Sequence, residues 1–104
     1  KTRHPRITFI EGSSTDENIF KRIKSMIKPG EKIMVVLDSD HREAHVLAEL
    51  KIYSGLVSSG CYLIVEDTNP LDPLYTKAYG GSPLDALKKF LKTNNDFIID
   101  KSRE

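Results

Sequence analysis

Two short apolar runs, each ended by carboxylates, constrain the fold of this chain more than any other feature of its sequence. The runs are Ile33 to Leu37 and Tyr62 to Val65, and the carboxylates that follow them are Asp38, Asp40, Glu66 and Asp67. Runs this apolar are typical of strands in a parallel sheet, which are buried on both faces. The intervening segment, Arg42 to Val57, has helical periodicity. A strand, helix, strand unit brings both acidic ends to one edge of the sheet, where open α/β folds bind ligands.

The rest of the chain continues this alternation. Short apolar runs at Ile7 to Ile10 and Phe97 to Ile99 predict two further strands. A capping-box pattern from Ser14 predicts a helix as far as Ile27, and Ser82 followed by proline predicts another. We therefore expect a three-layer α/β fold with a mainly parallel, Rossmann-like sheet. No GxGxxG or P-loop is present and the first residue is not Met, so we expect residues 1–104 to be a single partial domain, truncated at both ends.

Composition excludes several classes of protein. Sixteen basic and fifteen acidic side chains give a formal charge of +1, which offers no electrostatic argument for nucleic acid or for an anionic membrane. The single cysteine excludes an internal disulfide framework and a cysteine-based zinc site. No apolar run is long enough to cross a bilayer, and the first residues do not form a signal peptide. We expect a cytoplasmic protein without a nucleic-acid or membrane partner.

The carboxylates at the two strand ends predict a cation site. Asp38, Glu66 and Asp67 would repel one another unless a cation or a proton offsets their charge, and Mg²⁺ suits such an oxygen-rich set. The alternative is that Asp40 caps the following helix, Asp38 stabilises the helix dipole, and the other two are solvated.

The histidines allow two readings. His41 and His45 are four residues apart, so they share a helix face and could bind zinc as in a hydrolase, although HREAH is not the HExxH motif. His41 alone, three residues after Asp38, could accept a proton from a substrate hydroxyl.

The chain resembles the family of cephalosporin hydroxylases and rhamnosyl O-methyltransferases. The resemblance lies in the stretches ITFIEGSSTDENI, MVVLDSDHREAHVLAELKIYSGLVSSGCYLIVEDT and GGSPLDALKKFL. It implies the class I fold of S-adenosylmethionine-dependent methyltransferases, with this chain covering the third strand through about the sixth. It also implies an O-methyltransferase that acts on a small-molecule or sugar hydroxyl with the help of Mg²⁺ or another divalent cation.

The resemblance assigns roles to individual residues. Metal-dependent O-methyltransferases bind the cation through an Asp after the fourth strand, matched by Asp38, and through an acidic pair after the fifth, matched by Glu66 and Asp67. Asp40 is a second candidate in the first turn. Their proton acceptor is a Lys three residues after the metal-binding Asp; here it is His41. The segment that borders the cofactor's adenine is matched by Glu11, Gly12, Ser13, Ser14 and Thr15.

A long segment follows the second acidic turn. Residues 68–81 contain two prolines, two glycines and two tyrosines, a composition that favours a loop, either a substrate lid or a surface insertion. With the resemblance, Tyr75 and Tyr79 become candidate contacts to the acceptor. Two other functions stay open: a non-catalytic or regulatory methyltransferase-like domain, and a zinc or magnesium hydrolase. A homo-oligomer is also possible.

Overall fold

The computed structural model describes residues 3–68 and 80–103. The chain divides into two compact units, Lys1–Glu31 and Lys32–Glu104. Within the described residues there are three α-helices, two short 3-10 helices and one parallel sheet of two strands. The structure is therefore of the α/β class, as predicted.

The first unit contains helix α1, Glu17–Ser25. The side chain of Asp16 accepts a hydrogen bond from the backbone N–H of Asn18 at 2.7 Å and so caps the helix. The prediction that Ser14 begins this helix was wrong by two residues, because Asp16, with its charged acceptor, takes the capping position.

The second unit is built on strands β1, Val35–Leu37, and β2, Leu63–Val65. The strands are parallel, with Val35 opposite Leu63 and Leu37 opposite Val65. The ladder continues past the carboxyl end of both strands, because the backbone N–H of Glu66 donates to the carbonyl of Leu37 at 3.0 Å. The predicted strand, helix, strand unit is confirmed, with strands shorter than the apolar runs.

Helix α2, Glu43–Tyr53, connects the two strands and is followed by the 3-10 turn Ser54–Leu56. The sequence predicted a helix to Val57, but Ser54 and Gly55 are weaker helix formers than the residues before them, and the chain tightens there. Helix α3, Pro83–Thr93, begins as predicted. The Ser82 hydroxyl accepts from the backbone N–H of Asp85 at 3.2 Å and donates to its carboxylate at 2.9 Å.

The core lies where α2 packs against α3 and β1. Its buried members are Leu37, Val46, Leu50, Ala86 and Phe90. Leu50 is fully inaccessible to solvent, and burying a leucine of this kind contributes about 1.5–3 kcal/mol relative to leaving it exposed. This packing fixes the start of α2 relative to the end of β1, which is where the predicted site lies.

Two predicted strands do not form. Residues 7–10 and 97–99 have no strand pairing in the structure. A strand needs a neighbour to hydrogen-bond with, and an apolar run alone does not supply one. In the second of these segments Phe97 packs against Phe90, with ring centroids 6.1 Å apart, whereas Ile98 is 93% exposed.

Within the described part of the chain, no helix combines the length and the apolar character needed to cross a bilayer.

Candidate functional site

The parallel pairing of β1 and β2 brings the two acidic turns to the same edge of the sheet. The register pairs Leu37 with Val65, so the chain leaves both strands at the same level. Asp38 therefore begins one turn beside the turn formed by Glu66 and Asp67. This is the arrangement that the sequence predicted.

Three side chains converge at this edge. Nε2 of His41 lies 3.4 Å from Oδ1 of Asp38 and 3.1 Å from Oδ2 of Asp67. One ligand atom from each residue lies within 4.8 Å of the other two. The His41 side chain is 40% exposed and the two carboxylates are exposed further, so the cluster is open to solvent and accessible to a ligand. We call Asp38, His41 and Asp67 the edge cluster.

Local backbone conformation helps to form the edge cluster. Asp38 and His41 are three residues apart in the turn that leads into α2. The turn places the imidazole of His41 beside the carboxylate of Asp38. Asp67 has a φ of +57°, in the left-handed region, and it is the only residue besides glycine with positive φ among those described. Aspartate tolerates this conformation better than most residues. The bend at Asp67 coincides with the contact of its side chain to His41.

Asp40 is occupied by a different partner. Nε of Arg42 donates to both of its carboxylate oxygens at 3.0 Å, Nη2 adds a further hydrogen bond, and the backbone N–H of Arg42 donates at 3.0 Å. The hydrogen bonds from the Arg42 side chain are the main reason that the pKa of Asp40 is held well below its ordinary value of 3.8. The structure does not bring this carboxylate into the edge cluster.

Glu66 is exposed, and its carboxylate is not among the atoms of the edge cluster. His45 also lies outside the cluster. Its Nε2 is 3.3 Å from the Ser39 hydroxyl and 3.7 Å from Oε2 of Glu49. The pairing of His41 with His45 that a zinc hydrolase would need is not the arrangement that the described residues form.

Sequence reasoning missed Glu49 and Ser39. Glu49 is only 3% exposed, and its carboxylate accepts a hydrogen bond from the Ser39 hydroxyl at 2.9 Å. A signal was present in the helical spacing, because Glu49 lies three residues after Val46 and four before Tyr53, both of which are buried. A carboxylate on the buried face of a helix requires a partner.

The segment predicted to border the cofactor lies in the first unit. Gly12 has a φ of +136°, and a Cβ atom there would come within 2.7 Å of the Ile19 side chain, so this backbone requires glycine. The hydroxyls of Ser13 and Thr15 are 2.9 Å apart. Glu11 is exposed, and Ser14 is half-buried. The predicted acceptor contacts Tyr75 and Tyr79, and most of the predicted lid, lie outside the described residues.

The edge cluster has the donor chemistry of a divalent-cation site. Two carboxylates supply the oxygen ligands that Mg²⁺ and Mn²⁺ prefer, and the imidazole nitrogen suits Mn²⁺ and the later transition metals. The carboxylates carry opposite charge to any cation held there, and the openness of the cluster leaves room for a substrate oxygen. The residues present therefore fit a divalent cation.

Comparison with known proteins supplies the chemical context. The sequence profile of the family described as Rhamnosyl O-methyltransferase/CmcI matches residues 1–104. The chain is 40% identical over 105 aligned residues to a rhamnosyl O-methyltransferase of Mycobacterium tuberculosis (strain H37Rv), an alignment that includes 98% of this chain. It is 37% identical to the protein of the same name from Mycobacterium leprae (strain TN).

The chain spans less than half the length of these relatives, 42% of the first and 45% of the second. No solved structure matches it.

Proposed function

The chain belongs to the Rhamnosyl O-methyltransferase/CmcI family, and from this premise we propose that it acts as an S-adenosylmethionine-dependent O-methyltransferase assisted by a divalent cation. The observation that carries the proposal is the contact of one imidazole nitrogen with carboxylates from two adjacent strand ends, at 3.4 and 3.1 Å. A cation and a proton acceptor side by side can together activate an acceptor hydroxyl, and the edge cluster holds the residue types for both.

The proposed acceptor is a sugar hydroxyl. The mycobacterial relatives are named for methyl transfer to a rhamnosyl group, and 98% of this chain aligns with them. A deoxysugar hydroxyl has a high pKa, so it is a poor nucleophile near neutral pH. Its activation by a cation and a base is therefore a chemical requirement that the edge cluster would meet.

Asp38 and Asp67 are the residues that would hold the cation. A bound cation would supply charge that lowers the pKa of an acceptor hydroxyl and fixes the oxygen in place. Glu66, adjacent to Asp67, remains a predicted ligand, and so does Asp40, which would first have to leave the guanidinium of Arg42.

His41 would serve as the proton acceptor. Nε2 of His41 would accept the proton of the acceptor hydroxyl, and S-adenosylmethionine, when bound, would supply the methyl group that the oxygen receives. In the neutral ring this nitrogen carries the lone pair that takes the proton. Once protonated it would donate to a neighbouring carboxylate, and Asp38 and Asp67 would stabilise the imidazolium that forms.

Residues Glu11 to Thr15 would contact the adenosyl part of the methyl donor. The support is the backbone at Gly12, where the positive φ favours glycine and the residue is exposed, together with the small hydroxyls that follow it. Donors of this kind suit the ribose and adenine edge of a nucleoside.

The proposal is tested by methyl transfer from labelled S-adenosylmethionine to a rhamnosyl glycoside, with and without a chelator. We expect transfer that is lost on chelation and restored by Mg²⁺ or Mn²⁺. Failure to bind S-adenosylmethionine or its demethylated product would rule out the methyltransferase, and transfer that is insensitive to chelation would rule out the cation.

A matched pair of variants localises the cation. Asp38→Asn should abolish the cation-dependent rate, whereas Asp40→Asn, two residues away in the same turn, should retain most of it because Asp40 is paired with Arg42. Equal losses in the two variants would show that the edge cluster is not the cation site.

A further inference from the structure

A buried carboxylate lies beneath the turn that carries the edge cluster. Glu49 is 3% exposed and shares its helix face with the core residues Val46, Leu50 and Tyr53. An ionised carboxylate removed from water is costly unless hydrogen bonds or charges compensate for it. An apolar side chain at this position would give a more stable core, so a carboxylate here calls for another reason.

Glu49 is connected to the turn by one hydrogen bond. Its Oε2 accepts from the Ser39 hydroxyl at 2.9 Å, and the same hydroxyl lies 3.3 Å from Nε2 of His45. Glu49 and His45 are one helical turn apart on α2, so both project from the same face. Ser39 is thereby held by two residues of a rigid helix.

Ser39 separates the two carboxylates of the first turn. Its neighbour Asp38 contacts His41, and its other neighbour Asp40 is held by Arg42. Because Ser39 is bonded to α2 through its hydroxyl, the backbone of the adjacent Asp38 is held in one orientation. A carboxylate in the edge cluster that was free to rotate would lose part of its contact with the imidazole.

Ser39, His45 and Glu49 do not form a hydrolytic triad. In a triad the nucleophile and the acid contact opposite nitrogens of the imidazole. Here the Ser39 hydroxyl and the Glu49 carboxylate both lie nearest to Nε2 of His45, and the hydroxyl donates to the carboxylate directly. The geometry is that of a support for the turn.

We propose that Glu49 is a positioning residue, which acts through the Ser39 hydroxyl to hold the Asp38 turn in the orientation that binds the cation. The inference rests on the proposed function, since it assigns the support beneath the same site. Partners behind metal ligands typically change metal affinity by about 10–100-fold when they are removed.

The test compares Ser39→Ala with Ser39→Thr by titrating Mn²⁺ alone into the full chain. We expect Ser39→Ala to weaken Mn²⁺ binding about tenfold and Ser39→Thr, which keeps the hydroxyl, to restore it. Glu49→Gln should also weaken Mn²⁺ binding. The double variant with Ser39→Ala should bind no more weakly than the more affected single variant, because both changes act on the same hydrogen bond.

Ser58→Ala is the matched control. The Ser58 hydroxyl accepts from the backbone N–H of Ile33 at 2.8 Å, at the opposite end of β1. Its loss should lower the melting temperature without changing Mn²⁺ affinity. If Ser39→Ala lowers the melting temperature in the same way and leaves Mn²⁺ affinity unchanged, the role of Glu49 is structural only and the proposal fails.

Amide hydrogen exchange at residues 38–41 gives a second readout that needs no metal. Faster exchange in Ser39→Ala, with parental rates in Ser39→Thr, would support the positioning role even if the parent chain bound no Mn²⁺, an outcome that would refute the proposed cation site instead. Unchanged exchange would overturn the positioning role. If Glu49→Gln does not fold, the two Ser39 variants decide the question.

Discussion

At the amino ends of β1 and β2, each polar acceptor has its own hydrogen-bond donors, whereas at the carboxyl ends two carboxylates share one imidazole nitrogen. Ser58 accepts from Ile33 at the amino end, and the Tyr62 hydroxyl donates to Asp100 there, which connects the last residues to the start of β2. At the carboxyl end one nitrogen of His41 lies between two carboxylates.

The difference separates a structural use of polar groups from the use in cation binding and proton transfer that we propose for the edge cluster. The hydrogen bond from Tyr62 to Asp100 raises the pKa of the tyrosine, because it favours the protonated phenol. Asp100 also accepts from the backbone N–H and the hydroxyl of Ser102, so its negative charge is met by hydrogen-bond donors. The edge cluster instead gathers negative charge around one ring, an arrangement that gains most when a cation or a proton joins it. The predictions below test whether the two ends differ as this comparison requires.

The largest effect is expected from His41→Ala. General base catalysis contributes about 10²–10⁴-fold to a rate, so kcat for methyl transfer should fall by roughly that factor because the hydroxyl proton loses its acceptor. Steady-state kinetics with a rhamnosyl acceptor, combined with Mn²⁺ titration, would measure the change.

The control for this variant is His4→Ala, which removes an imidazole from the other unit of the chain and should leave kcat unchanged. If His41→Ala lowers Mn²⁺ affinity as strongly as it lowers kcat, His41 is a metal ligand rather than the proton acceptor. Full activity of His41→Ala would contradict both roles.

The sequence predicted the carboxyl end of the sheet better than it predicted the segments around the sheet. Apolar periodicity is a local signal, so the β1, α2, β2 unit and the nearness of Asp38 to Asp67 could be inferred from spacing. The contact of Asp40 with Arg42 depends on side-chain rotamers, which a sequence does not show. Residues 7–10 and 97–99 failed as strands because pairing depends on a distant partner, and an apolar run carries no information about one.

A second effect is expected at Gly81, which lies against the start of α2. Gly81 has a φ of +100°, and a Cβ atom there would come within 2.5 Å of the Glu43 Cβ. Glu43 also accepts a hydrogen bond from Lys89 of α3 at 2.6 Å. Gly81→Ala should therefore destabilise the fold by about 1–3 kcal/mol, through backbone strain and overpacking.

Gly80→Ala is the matched control, because Gly80 also has positive φ but has open space where its Cβ would lie. Chemical denaturation should show a clearly smaller loss for Gly80→Ala. Equal losses would mean that the close approach to Glu43 adds nothing to the backbone strain that both positions share.

A third effect tests the amino end. Ser58→Ala leaves the partly buried N–H of Ile33 without the hydroxyl that accepts from it at 2.8 Å. Leaving a donor unsatisfied costs about 1–3 kcal/mol when it is buried, and partial exposure places this site near 1 kcal/mol. Denaturation would measure the loss, and Ser58→Thr should recover part of it. A change in cation affinity in Ser58→Ala would break the distinction between the two ends.

The smallest effect concerns Asp40, which lies at the carboxyl end but, like Asp100 at the amino end, has its own hydrogen-bond donors. Hydrogen bonds from the Arg42 side chain hold its pKa below the ordinary value of 3.8. Because the folded pKa is lowered, the stabilisation that Arg42 gives the ionised Asp40 is present above the unfolded pKa and is lost as the pH falls through the folded pKa.

Asp40 should therefore remain ionised at about pH 3, where a free aspartate is largely protonated. Carbon-13 NMR titration of the carboxyl groups would show this, and Arg42→Ala should raise the pKa of Asp40 toward its ordinary range, with the backbone N–H of residue 42 still lowering it in part. An Asp40 that titrates near 3.8 in the parent chain would mean that Arg42 does not hold it in solution, and Asp40 would then join Asp38 and Asp67 as an equal candidate for the cation.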